Sequence, residues 1–300
     1  MLLVHAHPDD ETIGSGATMA RYADEGAHVT LITCTLGELG EILVPELEGI
    51  AAERADQLGG YRIAELAAAM RVLGVSDHRF LGHAGRWRDS GMIGTDGNAD
   101  PRAFWRCASD PEAFEEAVMQ AVAVIREVRP QVLITYDENG AYGHPDHIMA
   151  HRVAMAAADR AAEPGGDGTP WQISKIYWTA LPKSVLQRGI DALKAAGVES
   201  GFFGADSAED IPFGDPDHEV TTAIDATAFG EAKGAAMRAH ATQISVSGPF
   251  FALSNNLGLE VLGNEFFRLV RGELGLERDA DGREVELFAG VALDAPGAGA

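Results

Sequence analysis

Two short stretches of this chain carry residue types suited to metal chemistry, and they share a pattern. His5-Ala6-His7-Pro8-Asp9-Asp10-Glu11 stands near the N-terminus, and Gly143-His144-Pro145-Asp146-His147 lies far along the chain. Both contain His-Pro-Asp, and in both the next residue, Asp10 or His147, is a metal-ligating type. Zinc and ferrous iron take imidazole and carboxylate ligands, and a catalytic site keeps one position open for water. His7 and Asp10, three apart at a strand-to-helix turn, can converge on one ion, with His147 as the third ligand. Asp9 is then left beside the ion, where a carboxylate can take a proton from water and pass it to a leaving group. Tyr142 and His144 are candidates to stabilise an oxyanion. Asp146 could hold His144 in one tautomer or keep it charged. Blander readings stand beside these: Asp9 as a helix N-cap, and Tyr142 as a lid residue with no catalytic contact.

The elements that would position these residues are strands and helices in alternation. A buried apolar run from Leu2 leads into the first loop, and Thr12 to Ala20 reads as a small-residue helix. His28–Cys34 is a second strand, so strand, helix and strand form a βαβ unit with parallel pairing. From Leu47 to Leu73 apolar residues recur at helical spacing, and Gly59-Gly60 predicts two helices or one kinked helix. Arg79–Leu81 is a short strand, followed by a long irregular loop of the kind that usually carries function. Pro111–Val128 is an amphipathic helix, Val132–Tyr136 the strand before the second loop, and a long Ala-rich helix runs on to about Ala162.

A polar connector from Glu163 to Pro170 marks the boundary between a core at 1–165 and a C-terminal subdomain at 166–300 that completes the surround of the site. Beyond it the pattern predicts a strand at Ile173–Ala180 and a helix at Pro182–Ala196. A second strand is expected at Val220–Ile224 and a helix at Ala226–Gln243, before a less regular stretch whose last ten residues look disordered. The fold class is α/β, a doubly wound, mainly parallel, Rossmann-like sheet. Ligands in such sheets bind outside the carboxyl ends of the strands, where both histidine loops emerge.

Bulk properties narrow the function. A net charge of -23 excludes a phosphate-backbone partner, so no nucleic acid and no anionic membrane surface are expected. No apolar run approaches the length of a bilayer span, and no basic region precedes the first apolar stretch, which points to a cytoplasmic protein. The two cysteines, Cys34 and Cys107, are too few for a disulfide framework. Neither the Gly-x-x-Gly after the second strand nor Gly14-Ser15-Gly16 is a dinucleotide fingerprint. No Gly-x-Ser-x-Gly elbow supports a nucleophilic serine.

Ala6-His7-Pro8-Asp9-Asp10-Glu11 together with Gly143-His144-Pro145-Asp146-His147 resembles the LmbE-like, PIG-L type of metal-dependent N-acetylglucosamine deacetylases. Gln57–Arg62, Gly85–Met92, Ala239–Gln243 and Leu253–Asn256 further resemble the branch of that family acting on N-acetylglucosaminyl-inositol in mycothiol biosynthesis. The resemblance implies zinc, with ferrous iron as the alternative, on His7, Asp10 and His147, and Asp9 as base. Tyr142 and His144 would assist at the oxyanion, and Arg62 and Asp89 would hold sugar or inositol hydroxyls. The expected reaction removes acetate from a small pseudodisaccharide. An amidase for mycothiol S-conjugates and a non-catalytic sugar-binding protein with a structural metal are the rivals, and a homo-oligomer is left open. The chain departs from the family most at 199–218 and after Gly272, where no functional residue carries over.

Overall fold

The computed structural model describes residues 1–195, 197, 206–211, 213–246 and 263–292. These form one seven-stranded sheet in the order β3-β2-β1-β4-β5-β7-β6. The strands are β1 (Leu2–His5), β2 (Thr30–Thr33), β3 (Asp77–Phe80), β4 (Val132–Thr135), β5 (Lys175–Ala180), β6 (Thr222–Asp225) and β7 (Asn264–Arg271). The first five are parallel, and β7 runs antiparallel between β5 and β6. Every residue of β1, β2 and β4 is buried. Such unbroken apolar strands are what a parallel sheet needs when helices cover both faces.

The helices are α1 (Asp10–Asp24), α2 (Leu58–Val72), α3 (Pro111–Val128), the single turn α4 (Gly140–Gly143), α5 (Pro145–Ala162), α6 (Lys183–Ala195) and α7 (Gly230–Ala239). Side chains alternate across a strand, so β1 feeds two cores. Leu2 and Val4 pack with Val118, Val122 and Val153 of α3 and α5. Leu3 packs on the other face with Ala17, Leu66 and Ala236 of α1, α2 and α7. The strand order reverses beside β1, which has β2 on one side and β4 on the other. That reversal opens the crevice in which doubly wound folds bind ligands. The two histidine loops leave β1 and β4, so they share the crevice.

Several boundaries differ from the expectation. Gly59-Gly60 does not interrupt a helix but lies in the first turn of α2; the break falls at residues 51–57, after a 3-10 helix at Pro45–Ile50. A Cβ on Gly59 would stand 2.7 Å from Glu38 Cγ, so the glycine lets α2 approach the loop after β2. β7 is an element the sequence pattern does not mark. Its charged Glu265 and Arg268 spoil the alternation, and each is satisfied by a partner distant in sequence, Lys233 and Glu219. β4 pairs with β5, so the sheet runs on unbroken across 165/166. Of the expected disordered tail, residues 293–300 lie outside the described residues, as do Leu253–Asn256. Among the described residues no helix is long and apolar enough to cross a membrane.

Buried charge ties the C-terminal segment to the sheet. Glu284, with no exposed surface, accepts from Lys175 Nζ at 2.6 Å, Tyr177 Oη at 2.6 Å and Thr222 Oγ1 at 3.2 Å. Replacing it alone leaves a buried ammonium unpaired, which costs about 3–5 kcal/mol. Glu284→Ala is therefore expected to lower unfolding stability by that amount in urea titration; a loss under about 1 kcal/mol would mean the pair is solvated or dispensable.

Candidate metal centre

β1 ends at His5, and the chain turns through Ala6 to Asp9 before α1 begins at Asp10. Asp9 makes that turn with φ 122°, a conformation side chains rarely adopt and one that costs about 1–3 kcal/mol. The second loop is strained as well: Ala141, inside α4, has φ 58° and ψ -87°. α5 then starts with Pro145 at its first position, where a missing N–H costs nothing, and His144 caps it. His144 Nδ1 accepts the Asp146 N–H at 3.2 Å.

Three atoms from the two loops converge. His7 Nδ1 lies 3.3 Å from Asp10 Oδ2, His147 Nε2 lies 3.4 Å from the same oxygen, and the two nitrogens are 3.3 Å apart. Ligands bonded at 2.0–2.1 Å to one tetrahedral ion stand about 3.3–3.4 Å from one another. The donor set thus matches a small divalent cation in spacing as well as in chemistry. Asp10 Oδ2 is held in place by the His7 N–H at 2.9 Å and the Tyr136 hydroxyl at 2.8 Å. Tyr136 also stacks on the His147 ring, centroids 4.3 Å apart. Two further groupings share His7, one with His144 and His147 and one with Asp89 and Asp146. The latter faces the opposite ring nitrogen, where Asp146 is fully buried. Only the Nδ1 side has three donors at equal separation.

Asp146 has a different partner from the one expected. Its Oδ2 lies 3.2 Å from His7 Nε2 and accepts the Ser90 N–H at 2.9 Å, so the carboxylate orients His7. Only its backbone N–H reaches His144, because the side chain at the second position of α5 points back under the first loop. A carboxylate behind a ligating histidine fixes its tautomer and raises its basicity. Asp146→Ala is expected to weaken metal affinity about tenfold to a hundredfold, read by competition with a chelator. Unchanged affinity would remove Asp146 from this role.

Asp9 does not cap α1; no N–H of the helix reaches its side chain. Its Oδ2 instead lies 3.2 Å from Arg62 Nη2. Burial pushes the Asp9 carboxyl up, Arg62 pulls it down and neighbouring Asp10 pushes it up again, to about 6. Burial also opposes ionisation of Asp10, but the His147 and His7 rings hold it well below the usual carboxylate range. His144 is pushed down to about 3 by burial and by the two neighbouring imidazoles, so it is neutral. With Nδ1 accepting from the backbone, its proton sits on Nε2. Tyr142 is 48% exposed and stands 5.1 Å, ring to ring, from His147; burial of its hydroxyl end and the surrounding carboxylates push the phenol up, so it stays protonated.

A cavity of about 990 Å³ opens over these groups, and all the expected site residues except Asp146 line it. Trp178, Phe266 and Arg268 line its far side, contributed by β5 and β7. The two groups expected to grip hydroxyls are not paired with each other. Arg62 donates from Nη1 to the Gly37 carbonyl at 2.7 Å and from Nη2 to the Pro8 carbonyl, and its Nε has no partner. Asp89 accepts the Leu39 N–H at 3.1 Å and the Gly91 N–H at 2.8 Å. Sequence reasoning missed Tyr136, which reads as the last residue of a strand, and the buried pair of Glu11 with His240, which no local pattern joins.

The sequence profile of the GlcNAc-PI de-N-acetylase family, PIG-L, matches residues 2–158. A protein of Geodermatophilus obscurus named 1D-myo-inositol 2-acetamido-2-deoxy-α-D-glucopyranoside deacetylase is 64% identical over 97% of this chain and 97% of its own. Among solved structures, the N,N'-diacetylchitobiose deacetylase of Pyrococcus horikoshii has a TM-score of 0.58 at 19% identity, covering 90% of this chain and 83% of that one. The 4-carboxy-2-hydroxymuconate hydratase of Pseudomonas putida has a TM-score of 0.57 at 17% identity, covering 93% and 98%. A hydrolase and a hydratase on one fold leave the reaction to be argued from the site.

Proposed function

The chain belongs to the GlcNAc-PI de-N-acetylase family, and we infer that it is a metal-dependent hydrolase which removes acetate from 1D-myo-inositol 2-acetamido-2-deoxy-α-D-glucopyranoside and leaves the free amine. The observation that carries this reading is the equilateral arrangement of His7 Nδ1, Asp10 Oδ2 and His147 Nε2 at the floor of a cavity that also exposes Asp9. The substrate follows from the relative at 64% identity over nearly the whole chain. Zinc is the metal we assign, with ferrous iron as the alternative, because both accept two imidazoles and a carboxylate.

A divalent ion on those three ligands supplies Lewis acidity, polarising the acetamide carbonyl and lowering the pKa of water. The rest is the work of side chains. Asp9, ionised above about 6, takes the proton of the attacking water on its carboxylate. His144 Nε2–H and the Tyr142 hydroxyl are the donors for the oxygen that gains charge as the carbonyl carbon becomes tetrahedral. Asp9 then holds the proton that the departing amine needs, whereas neutral His144, with its single proton on Nε2, serves as a hydrogen-bond donor to the oxyanion rather than as an acid. Expulsion of the amine leaves acetate, with the proton count balanced by the water consumed.

The Arg62 guanidinium and the Asp89 carboxylate, both in the cavity lining, are assigned to the sugar and inositol hydroxyls. Arg62→Ala and Asp89→Ala are each expected to lower kcat/KM for the pseudodisaccharide by about tenfold to a hundredfold. For Asp89→Ala the loss should be much smaller on N-acetylglucosamine, and equal losses on both substrates would confine Asp89 to the glucosamine ring or to support of the loop; Arg62→Ala also removes the cation beside Asp9 and should slow both substrates. Residues 1–165 supply the metal ligands and base in this reading, and 166–300 the far wall. The enzyme is placed in the cytoplasm with no nucleic-acid partner; a homo-oligomer is compatible with it. Faster hydrolysis of a mycothiol S-conjugate than of the pseudodisaccharide would reassign the chain as the amidase. Metal binding without hydrolysis of either would favour the non-catalytic sugar-binding reading.

A further inference from the structure

Behind the catalytic turn lies a buried acid–imidazole pair that the reaction does not consume. Glu11 and His240 have no exposed surface, and Glu11 Oε1 stands 2.9 Å from His240 Nε2. The Thr12 hydroxyl donates to the same oxygen at 2.6 Å. Glu11 Oε2 is turned the other way, where it accepts the Asp9 N–H at 2.9 Å. His240 ends α7, and two residues on the Thr242 N–H and hydroxyl reach Glu65 of α2 at 2.9 and 2.7 Å. The carboxylate that grips the Asp9 peptide is therefore anchored to two helices of the scaffold.

We propose that Glu11, anchored by His240, is a positioning residue that holds the base Asp9 in its strained conformation, with the carboxylate aimed into the cavity. The proposal rests on the reading of Asp9 as base. At φ 122° an aspartate relaxes toward ordinary backbone angles unless its peptide is held. The Glu11 bond holds the N–H of the Pro8–Asp9 peptide, and Arg62 holds the carbonyl of that same peptide from its opposite edge. A displacement of about 1 Å at a reacting group costs roughly a hundredfold in rate. Glu11 contacts neither the cavity nor the three ligand atoms, so its influence passes through Asp9.

A double-mutant cycle separates this role from simple support of α1. In the zinc-loaded full chain, Glu11→Ala should lower kcat about tenfold to a hundredfold with KM unchanged and one metal per chain retained. Glu11→Gln, whose amide oxygen can still accept the Asp9 N–H, should recover most of the rate. In the Asp9→Asn background Glu11→Ala should change the residual rate less than about twofold, because there is no base left to aim. Should Glu11→Ala fail to fold, His240→Met, which keeps the volume and removes the anchor, carries the same cycle. Additive losses in the two backgrounds, or loss of metal with the rate, would overturn the proposal. Full activity of Asp9→Asn by itself would instead remove the base assignment, and the proposal with it.

Discussion

Asp9→Asn is expected to keep one metal ion per chain and to lose roughly 10²–10⁴-fold in kcat. An amide cannot take a proton at the attacking water, yet it has the same shape and still reaches Arg62, which lies 3.2 Å from Oδ2. Asp10→Asn, one residue on, should behave differently. Its Oδ2 is shared by the His7 and His147 rings at 3.3 and 3.4 Å, and losing its charge should weaken metal binding itself. Metal analysis beside single-turnover rates distinguishes the two. Equal metal loss in both variants would show that ligand and base are exchanged or merged.

His147→Ala should be as damaging by another route. It removes one corner of the ligand triangle and leaves Tyr136 without the ring it stacks on. Loss of a group that merely orients a ligand costs ten- to a hundredfold in metal affinity, so loss of the ligand should exceed roughly a hundredfold. The purified variant should then carry little metal and release no acetate. In the unaltered protein chelation should abolish activity and zinc or ferrous iron should restore it. Full metal occupancy in His147→Ala would mean that the assigned ligand set is wrong.

The three proposed ligands could be nominated from the sequence because they belong to two short motifs at strand ends. In a doubly wound sheet the order of strands, not any contact between side chains, brings those ends together. The boundaries of α3 and the end of α5 were equally plain, but α5 starts at Pro145, inside the motif after which the helix was expected. What lay beyond the pattern were pairings set by packing. Arg62 meets Asp9 because Gly37 leaves room for its guanidinium: a Cβ there would stand 2.0 Å from Nη1. No spacing rule reports such an approach. Asp146 looked like a partner for its neighbour His144, but the start of α5 turns the carboxylate toward His7 across the crevice. β7 escaped notice because Glu265 sits in a strand at 4% exposure, a place for an acid only once Lys233 of α7 is there to meet it at 2.6 Å.

Metal-free protein titrated with zinc while acetate release from the N-acetylglucosaminyl-inositol pseudodisaccharide is followed joins the ligand set to the reaction in one curve. The rate should rise linearly and break at one equivalent per chain, with free amine appearing in step with acetate. A rate that persists in metal-free protein, or zinc uptake at the triangle with no acetate released, would contradict the assignment.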